Sequence, residues 1–95
     1  MSLERLVSKY IASAEHALRS MEVIEQRKDF PADRVKAVVE SATAYLEDAK
    51  HFRNEGRIEV SLTSVAYCEG LLDALRLLGA VKFEWLPRTE VQKKE

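Results

Sequence analysis

Apolar residues recur at spacings of three and four over three long stretches of the chain. The first holds Leu3, Leu6, Val7, Tyr10, Ile11, Ala14, Ala17, Leu18, Met21 and Ile24. The second holds Val35, Val38, Val39, Ala42, Tyr45, Leu46, Ala49 and Phe52. That spacing places each set on one face of an α-helix, across an arc of about 140° at about 100° per residue. Ser2 is a suitable N-cap for the first helix. Pro31 suits the first turn of the second, where its missing N–H is no loss. Gly56 and Gly79 stand where left-handed C-caps would end the second and third helices. The pattern predicts three helices near 2–27, 31–55 and 57–79 and no β-sheet. The fold class is an all-α three-helix bundle in which helices 2 and 3 form a long αα-hairpin. The small residues Ala49 and Ser61 would let that pair approach closely.

The third stretch is apolar on two faces. Ile58, Leu62, Val65, Cys68, Leu72 and Leu75 make one. Val60, Tyr67, Leu71, Ala74 and Leu78 make a second, heptad-like seam. A helix apolar nearly all round belongs in the middle of something. It should be the most buried helix, with Leu62, Val65, Cys68, Leu72 and Leu75 in the core. After Gly79, Val81-Lys82-Phe83-Glu84-Trp85 alternates apolar and charged residues, as an extended segment with one buried side does. One domain is expected over 2–86, ending in this short extended tail. Residues 87–95 are polar and expected to fray.

Composition narrows the function classes. At 95 residues the chain holds one domain and is too small for a barrel enzyme or a dinucleotide-binding sheet with its helices. A chain this short buries only about 60–65% of its unfolded surface, so a second apolar seam is hard to hide. A two-fold homodimer, with the seam or the aromatic tail at the interface, is the expected solution. Fifteen Lys and Arg against sixteen Asp and Glu leave a net charge of −1, without the basic surplus of a nucleic-acid binder. No apolar run approaches the roughly 20 residues that span a bilayer. With one cysteine no internal disulfide forms, which suits a reducing cytoplasm.

Candidate chemistry is sparse, and no cofactor or metal is expected. Glu47, Asp48 and His51 carry an acid-x-x-His spacing, but di-iron bundles need two such motifs facing one core. These residues, like His16, fall outside the apolar arcs. Cys68 is expected to be a buried small hydrophobe, since its mid-helix position supplies no dipole to activate a thiolate. The Arg-x(4–6)-His motif of the helical HEPN endoribonucleases is missing. The polar stripe Glu69, Asp73 and Arg76 is the exception. Asp73 and Arg76 can pair along the helix, whereas Glu69 and Asp73 repel unless a cation lies between them. Gly70 sits mid-helix at a cost of about 1 kcal/mol against alanine, which points to a close approach, by a packed helix before a ligand. Tyr67, Glu69, Gly70, Asp73 and Arg76 are the candidate ligand or partner patch.

The run Tyr45-Leu46-Glu47-Asp48-Ala49-Lys50-His51-Phe52, then Glu55-Gly56, then the stretch from Ala66-Tyr67-Cys68-Glu69-Gly70 to Leu77-Leu78-Gly79, resembles a small archaeal family. It is the family catalogued as domain of unknown function 357. Lys9-Tyr10-Ile11, Ala14-Glu15 and Ala17-Leu18 are similar to its first helix, so the likeness covers about residues 3–80. The resemblance implies a three-helix fold in an archaeal cytoplasm and supplies no activity or catalytic residue. Two readings stand. The leading one is a non-catalytic interaction module that self-associates. The other is a small-ligand or enzymatic domain built around Glu69, Asp73 and Arg76. A deep pocket beside Gly70 with converging carboxylates would favour the second, and a flat apolar face on the third helix, covered by a second chain, the first.

Overall fold

The computed structural model describes residues 2–24 and 29–86. Three helices carry the fold: α1 (Leu3–Ser20), α2 (Ala32–Asn54) and α3 (Ile58–Leu77). Two short strands, β1 (Glu22–Val23) and β2 (Val81–Lys82), complete it. The N-cap of α1 is Ser2, whose hydroxyl accepts from the Arg5 N–H at 3.2 Å. The ends of α2 and α3 are closed by matching devices. Gly56 and Gly79 adopt φ of 78° and 77°. At α2 the Arg57 N–H donates to the Phe52 carbonyl and the Gly56 N–H to that of Arg53. At α3 the Ala80 N–H donates to Leu75 and the Gly79 N–H to Arg76. This pair of bonds is the Schellman motif, which needs a residue in the left-handed region and so favours glycine.

The expected absence of β-structure is corrected, together with the end of the first helix. α1 stops at Ser20, and Met21 turns extended with φ −69° and ψ 137°. β1 then pairs antiparallel with β2, with Glu22 opposite Lys82 and Val23 opposite Val81. The Ile24 N–H continues the ladder to the Ala80 carbonyl at 3.0 Å. Met21 and Ile24 extend the helical spacing of α1, but Val23 and Ile24 are β-branched and fit a pleated surface better. The returning tail offers them a ladder, and the tertiary contact wins. Positions 25–27 of the predicted first helix and the expected fraying over 87–95 lie outside the described residues. The alternation in the tail is realised: Val81 and Phe83 are buried while Lys82 and Glu84 are exposed.

α2 and α3 pack most intimately, as an antiparallel hairpin, and α1 lies against both. Ala49 and Ser61 are fully buried at the hairpin contact, where the Ser61 hydroxyl donates to the Ala49 carbonyl. The core collects Val7, Ile11, Ala14 and Ala17 from α1 and Val35, Ala42, Leu46 and Ala49 from α2. α3 adds Val65, Cys68, Leu72 and Leu75, and with Ser61 and Ser64 it buries more residues than either other helix. Leu62, expected in the core, is half-buried and packs on its edge.

Candidate functional site

Between α1, α3 and the folded-back tail lies an open cleft of about 480 Å³. Helix α1 contributes the neighbours Lys9 and Tyr10 and, one turn on, Ser13. Helix α3 contributes Glu69, Gly70 and Asp73, and the tail contributes Trp85 and Leu86. The tail reaches this place because β2 pairs with β1 and Phe83 is buried. Phe83 then holds Trp85 edge-to-face, with ring centroids 4.9 Å apart.

The two carboxylates differ in their surroundings. One oxygen of Asp73, Oδ1, accepts from the Trp85 indole Nε1 at 2.9 Å and from Arg76 Nε at 3.1 Å. Arg76 Nη2 also lies 3.1 Å from it. The indole hydrogen bond, followed by the guanidinium, holds the Asp73 carboxyl below its usual range. Glu69 forms no hydrogen bond or ion pair with a described residue. Burial, reinforced by the charge of Asp73 one turn on, pushes its carboxyl up to about 7. One wall of the cleft is therefore a carboxylate held by two side chains, and beside it stands a half-buried one, without a described protein donor, whose carboxyl is pushed up to about 7.

Of the five residues singled out in the sequence, Glu69, Gly70 and Asp73 line the cleft, and Arg76 reaches it through Asp73. Tyr67 does not. It lies on the outer face of α3, 51% exposed, where its ring meets Tyr45 of α2 at a centroid distance of 4.4 Å. Gly70 departs from the expected helix packing. Among the described residues a Cβ at that position would find nothing within 4 Å, so none of them explains the glycine. Lys9, Tyr10, Ser13 and Trp85 escaped the sequence reading. Only the alternating tail hinted at Trp85, because alternation says that a segment docks without saying where.

The other candidates lie outside the lining of the cleft. Cys68 is fully buried, and burial with the nearby Glu69 charge pushes its thiol up to about 12, far from a thiolate at neutral pH. His51 is exposed and lies 3.3 Å from Glu55 on its own helix. No group of three or more His, Cys, Asp or Glu among the described residues could hold a metal ion. No described helix is long and apolar enough to cross a membrane.

The second notable surface is the outer face of α3. The seam residues Val60, Tyr67, Ala74 and Leu78 are exposed, and only Leu71 is half-buried. Leu77, beside them, is 72% exposed and Leu78 53%. Among the described residues α1 comes near this face only at its end, where Leu3 and Glu4 line a shallow pocket with Val60.

Fold and site together define a small helical-bundle domain with one mixed polar and aromatic cleft and one uncovered apolar helix face. Residues 9–81 match the family described as Protein of unknown function (DUF357), and the chain belongs to that family. Neither a curated protein nor a solved structure matches the chain.

Proposed function

We propose that this protein is a non-catalytic helical interaction module that pairs with a second copy of itself through the outer face of α3. The observation that carries the reading is the exposed seam from Val60 through Tyr67 and Ala74 to Leu78, flanked by Leu77. Large apolar side chains aligned along one helix and left in water favour burial at about 25 cal/mol per Å². Patches of this kind mark interfaces. A two-fold pair lets one seam cover its own copy. Gly70 and Ala74 on that face leave room for a second backbone to come near. Net charge and the single buried thiol fit a cytoplasmic module whose partners are proteins, with no nucleic acid or membrane among them.

Amide chemical shifts followed on dilution test the reading. Signals of Val60, Tyr67, Ala74 and Leu78 are expected to move together, and those on the solvent side of α1 to stay. Tyr67→Lys should give the dilute spectrum at every concentration with its helices intact. Shifts that ignore concentration would refute the pairing.

A second reading has its own observation. The cleft beside Gly70, with Glu69 and Asp73 on one wall, suits a small-ligand-binding domain, in which Arg76 positions Asp73 and an aromatic wall faces the carboxylates.

A further inference from the structure

We propose that the cleft between α1, α3 and the tail binds a small organic cation, a primary amine or guanidine compound, with its charged head on Glu69. The inference rests on reading the cleft as a ligand site and names the chemistry of the ligand. At about 480 Å³ the cleft falls within the roughly 300–1,000 Å³ of small-molecule sites.

The charges decide the class. Facing the site are Lys9 and Tyr10 from α1, Glu69, Asp73 and Arg76 from α3, and the neutral Trp85 from the tail. Arg76 and Trp85 are already engaged by Asp73. Glu69 has no such donor among the described residues, and it repels Asp73 one turn away. A half-buried carboxylate without a protein donor is costly, and a cation seated on it offsets the desolvation and the repulsion from Asp73. An anion would face Glu69 and Asp73, set against Lys9 in the described lining. Two carboxylates, one of them already taken, are too few for a dedicated calcium site with its six to eight oxygens. The walls fit an organic cation further. Tyr10 and Trp85 offer aromatic rings beside the acidic wall, where ammonium and guanidinium groups gain from the ring quadrupole. Leu86 gives an alkyl stem an apolar rest, and the open space at Gly70 leaves the floor clear.

Trp85 is the chain's one tryptophan and lines the cleft, so its fluorescence reports on this site alone. Four probes with one stem separate the possibilities: butylamine, butylguanidine, butanol and butyrate, at constant ionic strength. At a pH above 7 the two cations are expected to give a saturable change in Trp85 emission, and butanol and butyrate none. Glu69→Gln keeps the shape and removes the charge. It should weaken cation binding about tenfold or more, with unchanged helical circular dichroism. Wild-type affinity should fall as the pH drops through about 7, where Glu69 takes up its proton, and Glu69→Gln should lose that dependence. Binding of butyrate or butanol in place of the cations, or cation binding unchanged in Glu69→Gln, would overturn the ligand class and leave the cleft a site. Silence of Trp85 to all four probes would overturn the class and the ligand-site reading together.

Discussion

At the scale of single residues, side chains are placed by what surrounds them, and the consequences are measurable. Leu72 is fully buried where α1, α2 and α3 meet. Leu72→Ala should cost about 2–5 kcal/mol in urea unfolding, as large-to-small core changes do. A loss below about 1 kcal/mol would show that the site is not core. Cys68 should react with an alkylating reagent far more slowly in the folded protein than in the unfolded one, since burial removes both access and thiolate. Fast modification at neutral pH would contradict the buried thiol. Glu69 makes stability depend on pH. Its carboxyl lies at about 7 in the fold against 4.5 for a free glutamate. Between those values the folded chain holds a proton that the unfolded chain has released. The contribution is fully present at low pH and is lost as pH rises through about 7. Asp73, held low by Trp85 and Arg76, acts in the opposite sense: its contribution is present above the usual aspartate value of 3.8 and lost as pH falls below it. Urea midpoints should therefore be higher near pH 5.5 than near pH 8, and Glu69→Gln should flatten that difference. A wild-type midpoint that rises over this range would contradict the placement of Glu69.

At the scale of elements, what was legible in the chain is what local chemistry decides. Ser2, Gly56 and Gly79 announce helix ends because caps and left-handed turns are built from neighbours in sequence. The period of three and four locates the buried stripes of all three helices, and Ala49 with Ser61 announces the close hairpin. The end of α1 was not legible, because Met21 and Ile24 fit a helix stripe as well as an extended strand. Only the arrival of Val81-Lys82, almost sixty residues later, settles the choice. The cleft was half legible for the same reason. Glu69 and Asp73 lie one turn apart on α3, whereas Lys9, Tyr10 and Trp85 come from elements that meet them only in the fold. Gly70 links the two surfaces. No described residue lies within 4 Å of its missing Cβ, so Gly70→Ala should stabilise the isolated helix bundle by about 1 kcal/mol. If a second copy comes near there, the same methyl group should weaken association. A stabilised variant that associates as well as wild type would put the interface elsewhere on α3.

At the scale of the whole molecule, α3 has two apolar faces, and the described residues enclose one of them. The inner face of α3, from Val65 to Leu75, is enclosed by α1, α2 and the tail. The outer face, from Val60 to Leu78, is left to solvent. Three helices and a short antiparallel pair exhaust the described elements, and none of them is available to close the second face. On the proposed reading, a second copy supplies that cover. The most direct measurement is the mass of the particle by sedimentation equilibrium at micromolar concentration. The account predicts a species of twice the chain's 10.8 kDa, shifted toward 10.8 kDa by Tyr67→Lys. A wild-type protein that sediments at 10.8 kDa at every concentration would contradict it.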